Sequence, residues 1–178
     1  FKSRMSELNF QFDSEEELNE VFARFKTLAD KKHDIFDEDL LALVNEATFE
    51  NENETIKLVS LRVCSETGEV PSATMTLNID GNEQQAVASG DGPVDACFKA
   101  IEKLTSVGVK LQLYSVNAIT TGTDSQGEVT VRVEKDGRVV NGQGADTDIV
   151  IASAKSYINA LNKVINSDGR THPQLGNV

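Results

Sequence analysis

The sequence predicts an α+β protein, in which a short helical subdomain precedes a duplicated strand–strand–strand–helix (βββα) domain. Two observations lead to this fold class. Apolar residues recur with a helical period up to about residue 46, and from residue 55 onward they alternate with a period of two. The second part of the chain also repeats its own layout, so that three strands and a helix occur twice.

Two amphipathic helices are predicted at the N-terminus. Ser14 and Glu17 have the S-x-x-E spacing of a capping box. Asp37 is predicted to cap the second helix. Apolar residues then follow the i, i+3, i+4, i+7 pattern that lines one face of a helix. These residues are Leu18, Val21, Phe22, Phe25 and Leu28 in the first helix, and Leu40, Leu41 and Val44 in the second.

Composition divides the chain into three parts. The stretch 47–54 is polar and acidic and has no periodicity, which is typical of a linker. The last dozen residues are also polar. We therefore predict a helical linker subdomain at 1–50, a βββα domain at 51–166 with repeats at about 55–108 and 109–166, and a flexible tail at 167–178.

The strands carry the clearest sign of the duplication. Asp80-Gly81 and Asp136-Gly137 are hairpin signals 56 residues apart. In each first strand the apolar phase slips by one residue, as in a β-bulge, after Leu58 in one copy and after Leu113 in the other. These first strands match at an offset of 55. One such unit has too little core to be stable alone, so the two copies should pack together.

A Gly-x-Gly corner leads into the predicted helix of each copy. Gly90 and Gly92 precede the first helix, and Gly142 and Gly144, 52 residues later, precede the second. The free N–H groups and the dipole of a helix N-terminus attract anions. However, no G-K-S/T sequence follows either corner, and no third glycine completes a dinucleotide fingerprint.

Aspartates at the corners narrow the ligand class. Asp91, Asp95, Asp146 and Asp148 would repel phosphate, whereas a free amino acid offers a carboxylate to the N–H groups and an ammonium to the aspartates. The alternative is that the glycines only make the turns and the aspartates cap the helices. The residues alone leave both interpretations open.

Charge and cysteine content exclude several classes of protein. The chain has 29 Asp and Glu against 17 Lys and Arg, a net charge of −12, which argues against nucleic acid and anionic membranes as partners. No apolar run approaches the roughly 18 residues of a membrane span, and the N-terminus does not match a signal peptide. Cys64 and Cys97 are expected to be buried thiols in a reducing cytoplasm. No metal-ligand spacing or nucleophile–base pair is present, so no catalytic residue, metal or cofactor is predicted here.

Several stretches resemble the 2-isopropylmalate synthase family. "SGDGPVDACFKAI", "GTDSQGEVTVRV" and "GQGADTDIVIASAKSYINALN" are similar to its C-terminal regulatory domain. "FKSRMSEL" and "VFARFKTLADKKHDIFDEDLLALV" are similar to the linker subdomains that follow its catalytic barrel. The resemblance covers nearly the whole chain apart from the last dozen residues.

The resemblance implies a regulatory fragment of an acyltransferase. The family condenses acetyl-CoA with 2-oxoisovalerate in a TIM barrel that holds a divalent metal (Mn, Mg or Zn), and this barrel is not part of the present chain. The regulatory domain is implied to have pseudo-twofold symmetry, to form a homodimer and to bind leucine for feedback inhibition. Without its own barrel the chain should be inactive. Citramalate synthase shares the architecture and responds to isoleucine, and a purely structural dimerisation module is a further alternative.

The resemblance also places the effector. It implies that leucine binds around both corners, with the strand before the second corner lining the apolar end. Phe36 stands where many relatives have a tyrosine, which puts a catalytic hydroxyl at that position in doubt. The implied leucine-binding residues are Asp91, Gly92, Pro93, Val94, Ala96, Tyr114, Ala118, Gly144, Ala145, Asp146 and Thr147.

Overall fold

The computed structural model describes residues 1–8, 10–12, 14–50, 54–119 and 122–168, and two βββα units follow a helical N-terminal part. The predicted α+β fold class is therefore confirmed. The helices are α1 (Lys2–Glu7), α2 (Glu15–Lys31), α3 (Asp37–Glu50), α4 (Pro93–Thr105) and α5 (Ile149–Asp168), and the strands are β1 (Ile56–Cys64), β2 (Ser72–Ile79), β3 (Asn82–Ser89), β4 (Lys110–Ala118), β5 (Gly127–Lys135) and β6 (Arg138–Asp146).

The helical part has its own small core. Helix α2 begins at the predicted capping box, where Ser14 Oγ accepts a hydrogen bond from the amide of Glu17 at 3.1 Å. The buried apolar side chains of α1, α2 and α3 pack together, and four phenylalanines pack against them, so the predicted amphipathic pattern is confirmed for α2. The buried members are Met5, Val21, Leu28, Leu40, Leu43 and Val44.

Three predictions about α3 were wrong. Asp37 is the first residue of α3 rather than its cap, and its carboxylate instead accepts hydrogen bonds from Arg4 at 2.8 and 2.6 Å, which holds the pKa of Asp37 below its usual value. Leu41 is 39% exposed, because Leu43 takes the buried position beside Leu40. The helix also continues to Glu50, so residues 47–50 are helical rather than linker.

The predicted domain limits stay predictions. The second half of the predicted linker, at 51–53, lies outside the described residues, and so does the predicted flexible tail from residue 169 onward. Helix α5 reaches Asp168, two residues beyond the predicted end of the second repeat.

Each βββα unit contains an antiparallel sheet of three strands in sequence order. The hairpins β2–β3 and β5–β6 turn at the predicted Asp-Gly pairs. Asp80 and Gly81 have φ of 51° and 84°, and Asp136 and Gly137 have φ of 53° and 78°. Two consecutive residues with positive φ define the tight turn whose twist matches that of paired strands, so both hairpin predictions are confirmed.

A β-bulge interrupts the first strand of each unit. In β1 the register shifts between Leu58 and Ser60, as predicted. In β4 the shift lies between Leu111 and Leu113, ahead of Leu113 rather than after it. Leu111 therefore occupies the place of Leu58, at an offset of 53 rather than the predicted 55. Leu113 lies on the outer face of its sheet. Because Leu113 is apolar although it faces outward, the alternation of apolar and polar residues did not show where the bulge falls.

The two units share one core, as predicted. Helices α4 and α5 cover the inner faces of the sheets, where the central strands bury Met75 and Val131 completely. Helix α5 also reaches the first unit, because Asn162 Oδ1 accepts a hydrogen bond from the amide of Ile56 and Asn162 Nδ2 donates one to its carbonyl, both at 2.9 Å. This clamp fixes the edge strand of one unit against the helix of the other.

The prediction that both cysteines are buried is confirmed for Cys97 and wrong for Cys64. Cys97 is completely buried on α4, but Cys64 is exposed at the end of β1. Cys64 pairs in register with Ser72 at the end of the sheet, beyond the part that the helices cover. Both are free thiols.

Candidate effector site

The first corner is held by one carboxylate. A Cβ atom at Gly90 would lie 2.6 Å from Asp95 Oδ2, so this close approach requires glycine. Asp95 Oδ2 accepts a hydrogen bond from the amide of Asp91 at 2.8 Å and an ion pair from Lys99 Nζ at 2.9 Å. Lys99, and then the Asp91 amide, hold the pKa of Asp95 below its usual value.

Helix α4 has an open N-terminus. Gly92 is its N-cap in an extended conformation, and no side chain of the described residues caps it. Pro93 has no N–H, so the amides of Val94 and Asp95 are the orphan donors of the first turn. A Cβ atom at Gly92 would meet nothing within 4 Å in the described structure. The space in front of this helix is therefore accessible to a small anionic group.

Ala96 contributes to this corner differently from the prediction. Its side chain is completely buried in the core that the two units share, and its amide donates to the Gly92 carbonyl at 3.0 Å. Ala96 therefore supports the opening from behind rather than lining it with its methyl group.

The second corner caps its own helix. Asp148 Oδ1 accepts a hydrogen bond from the amide of Val150 at 2.9 Å, and Asp146 Oδ1 accepts one from the amide of Asp148 at 2.9 Å. The first N–H groups of α5 are thus satisfied by the chain's own carboxylate, as in ordinary N-capping. Of the two openings predicted from the sequence, the one at α4 is open and the one at α5 is filled.

Gly142 and Gly144 are not part of this second corner. Both lie inside strand β6 beneath α5, and a Cβ atom at Gly144 would lie 2.6 Å from the amide nitrogen of Ser156. The hairpins and the helix starts of the two units are 56 residues apart, which aligns these glycines with Ala86 and Ala88 of β3. The predicted equivalence at an offset of 52 was therefore wrong, and the two glycines serve close packing of strand and helix.

Tyr114 joins the two units. Its hydroxyl lies 2.7 Å from Ser153 Oγ on α5, and its ring packs edge-on against Phe98 on α4 with centroids 5.9 Å apart. Phe98 in turn stacks on Tyr157 of α5 at 4.5 Å. Burial, and then the nearby Glu102, raise the pKa of the Tyr157 hydroxyl. The contacts among Tyr114, Phe98 and Tyr157 therefore place the predicted lining residue Tyr114 between helices α4 and α5.

The helix-facing side of β4 is poorly covered. Leu111, Tyr114 and Val116 pair in register with the buried valines of β5, yet Val116 is 46% exposed and Leu111 is 41% exposed. The equivalent side chains of β1 are half-buried, and α5 lies against that strand. Edge strand β4 therefore presents an apolar stripe made of Leu111, Tyr114 and Val116. Ala118, the other predicted lining residue on β4, is exposed at the end of the strand.

The second corner lies close to both α4 and the helical part. Burial, and then the carboxylate of Asp148, raise the pKa of Cys97 on α4 to about 11. On the other side, Ala145, Asp146 and Thr147 line a cavity of about 240 Å³ together with residues of α2. The α2 residues of this cavity were not predicted from the sequence, because no local pattern connects residue 24 with residue 146.

Two kinds of feature are absent from the described part of the chain. It contains no group of three His, Cys, Asp or Glu side chains placed to hold a metal ion. No helix among the described residues is both long and apolar enough to cross a bilayer. Fold and site together define a duplicated βββα module in which the N-terminus of α4 is open and that of α5 is capped by the chain's own carboxylate.

Comparison with known proteins gives the family. The model of the LeuA allosteric (dimerisation) domain matches residues 34–165, and the chain belongs to this family. A 2-isopropylmalate synthase of Methylococcus capsulatus is 64% identical over 178 residues, which is 100% of this chain and 35% of that protein. A 2-isopropylmalate synthase of Thiobacillus denitrificans is 61% identical over 175 residues, 98% of this chain and 34% of that protein. The chain thus spans about a third of the length of these curated relatives.

Proposed function

We propose that this chain is the regulatory part of a 2-isopropylmalate synthase and that it binds leucine for feedback inhibition. The observation that carries the proposal is the family match over residues 34–165, together with relatives of that name that are 64% and 61% identical. In the whole protein, a TIM barrel with a divalent metal condenses acetyl-CoA with 2-oxoisovalerate. The present chain supplies regulation rather than chemistry, and the two free thiols fit a reducing cytoplasm.

The open N-terminus of α4 is the proposed binding site of the leucine carboxylate. The amides of Val94 and Asp95 are its donors, and the helix dipole adds to the attraction. The exposed carboxylate of Asp91 is within the same corner and suits the ammonium group. Tyr114 on β4 supplies apolar surface for the isobutyl side chain, and the second corner, Ala145 to Thr147, completes the site across the units or from a partner subunit.

Leucine can regulate activity only if it binds one conformational state of the protein more tightly than another. A ligand shifts an equilibrium only through its differential affinity for the two states. Leucine bound at α4 is proposed to fix the orientation of the paired units, and the helical linker passes this bias to the barrel. A coupling free energy of about 1–3 kcal/mol would change activity roughly 5- to 150-fold.

The apolar stripe of β4 favours a homodimer. Strand β4 is an edge strand, and Val116 and Leu111 on it are 46% and 41% exposed. Exposed apolar side chains on an edge strand are typical of surfaces that another chain covers. We propose that a second copy covers this stripe, in keeping with the dimerisation role in the family's description.

An amino-acid titration panel tests the proposal. Calorimetry on the 178-residue chain should give a saturable heat for leucine, weaker binding for isoleucine and none for alanine, and the melting temperature should rise with leucine concentration. A preference for isoleucine would favour a citramalate synthase regulatory domain instead. A dimer that gives neither heat nor a melting shift at millimolar leucine would leave only the structural dimerisation module.

A further inference from the structure

The two βββα units have different residues at the same point of the fold, immediately before each helix. Helices α4 and α5 start 56 residues apart, so Gly92 and Asp148 are equivalent. The first helical hydrogen bonds agree with this alignment. The amide of Ala96 donates to the carbonyl of Gly92 at 3.0 Å, and the equivalent bond, from the amide of Ala152 to the carbonyl of Asp148, is 2.9 Å long. The N-terminal turns of the two helices can therefore be compared residue by residue.

The carboxylate of Asp148 binds the first free amides of α5. Its Oδ1 atom accepts a hydrogen bond from the amide of Val150 at 2.9 Å and a longer one from the amide of Ile151 at 3.4 Å. The equivalent amides of α4 belong to Val94 and Asp95, and no side chain in the described part of the chain caps that helix. Asp148 thus binds, at α5, the same donors that are proposed to bind the leucine carboxylate at α4.

The residue before the cap also differs between the two corners. Asp91 of the first corner is exposed and is the proposed partner of the leucine ammonium group. Its equivalent in the second corner is Thr147, whose side chain is neutral. The nearby carboxylate of Asp146 already forms an ion pair with Lys155 at 3.3 Å. Both charged ends of an amino acid would therefore compete with contacts that the second corner makes within the chain.

We infer that Asp148 replaces the effector carboxylate at α5 and so restricts leucine to the open end of α4. This inference rests on the proposed function, because it concerns where the same effector binds. The duplicated fold has two equivalent helix N-termini, and leucine bound at α4 would give the first unit the capped helix that the second unit already has. One chain should therefore bind a single leucine, and the residue at the N-cap decides which unit binds it.

A carboxylate placed at the cap of α4 tests the inference. The backbone of Gly92 is extended, and a Cβ atom there would meet nothing within 4 Å of the described structure, so Gly92→Asp should fold. The added carboxylate would accept from the amides of Val94 and Asp95 and would repel the leucine carboxylate. Loss of two hydrogen bonds to a charged group should weaken leucine binding about a hundredfold in calorimetry.

Gly92→Ala is the matched control, because it adds a methyl group at the same place without an acceptor. Its leucine affinity should stay within about threefold of that of the original chain. Because aspartate is a much better N-cap than alanine, Gly92→Asp should melt at a higher temperature than Gly92→Ala. Weak leucine binding by a chain with the higher melting temperature would thus reflect the filled cap rather than unfolding.

The reverse substitution, Asp148→Gly, should open the second helix end. Glycine is only slightly poorer than aspartate as an N-cap, so this variant should remain folded. Acetate is the probe, because Thr147 offers no carboxylate to an ammonium group. In Asp148→Gly, acetate should move the amide NMR signals of Val150 and Ile151 saturably, whereas in the original chain it should leave them in place.

Leucine binding to the original chain distinguishes a failure of this inference from a failure of the proposed function. Absence of leucine binding there would contradict both. If leucine binds the original chain and Gly92→Asp equally well, or if Gly92→Ala loses as much affinity as Gly92→Asp, leucine binding stands and the inference is wrong. Two leucines per chain would also overturn it, and so would signals of Val150 and Ile151 that acetate leaves unmoved in a folded Asp148→Gly.

Discussion

The hydroxyl of Tyr114 on β4 lies 2.7 Å from Ser153 Oγ on α5, and this pair fastens an edge strand to the helix of its own unit. Ser153 Oγ also lies 2.6 Å from the carbonyl of Ile149, to which it donates. The serine hydrogen is therefore engaged, and Tyr114 is the donor of the pair. Since Phe98 of the other unit packs on the same ring, one side chain connects both repeats.

Tyr114→Phe tests this connection. The substitution removes the donor but keeps the ring against Phe98, so we expect a loss of about 0.5–1.5 kcal/mol in the free energy of unfolding. Leucine affinity should change less than about twofold, because the proposed contact with the isobutyl group is apolar. Urea unfolding and calorimetry measure the two quantities. Unchanged stability would mean that the hydrogen bond does not form in solution.

Gly142→Ala tests the corrected role of the second Gly-x-Gly pair. The added methyl group would collide with the backbone of Ser156 and the amide of Ala160 in α5, and overpacking of this kind costs about 1–3 kcal/mol. Gly92→Ala is the matched control, because its Cβ atom meets nothing within 4 Å of the described structure and its backbone is extended. Because alanine is a poorer N-cap than glycine, the unfolding free energy of Gly92→Ala should fall by less than about 1 kcal/mol, which is less than the loss expected for Gly142→Ala. Equal losses in the two variants would contradict the assignment.

Much of the fold follows from local patterns in the sequence. The capping box at Ser14, the two Asp-Gly hairpins and the duplication are all local signals, and the structure confirms each of them. The errors come from contacts that a local pattern does not contain. Glycines spaced two apart look the same at a helix corner and inside a strand, and only the approach of α5 to β6 tells them apart.

The candidate site was less predictable than the fold. The open end of α4 follows from Gly92 and Pro93, but the filled end of α5 depends on which of several aspartates caps the helix. The cavity beside Asp146 requires side chains from α2, more than a hundred residues earlier in the chain. The shape of this cavity depends on how the helical part packs against the βββα domain. The periodicity of apolar residues gives no information about that packing.

Val116→Lys tests the proposed dimer surface. A lysine on the apolar stripe of β4 would place a charge where a second copy is proposed to pack, so the mass in solution should fall toward the monomer value of 19.4 kDa. Val87→Lys on edge strand β3 is the control, since Val87 is exposed but lies outside the stripe. Light scattering after gel filtration measures the mass. A dimer that survives Val116→Lys but not Val87→Lys would move the interface to β3.

Titration of the Cys97 thiol should make the free energy of unfolding depend on pH in the alkaline range. An unfolded thiol titrates near pH 8.5, whereas burial and Asp148 raise the pKa of Cys97 to about 11 in the folded protein. Because the folded state keeps this proton longer, the free energy of unfolding should fall as the pH rises between these values. Cys97→Ala should remove this part of the fall, and Cys64→Ala, at the exposed cysteine, should keep it. Identical pH profiles for Cys97→Ala and the original chain would contradict the assignment.

Amide NMR during a leucine titration tests the central claim most directly, namely that the open end of α4 holds the effector. Leucine should produce saturable shifts in the amide signals of Gly92, Val94 and Asp95, at the same concentrations that give calorimetric heat. Saturable binding with those three signals unmoved would place leucine elsewhere on the chain. Unmoved signals without any heat would show that this corner only begins a helix.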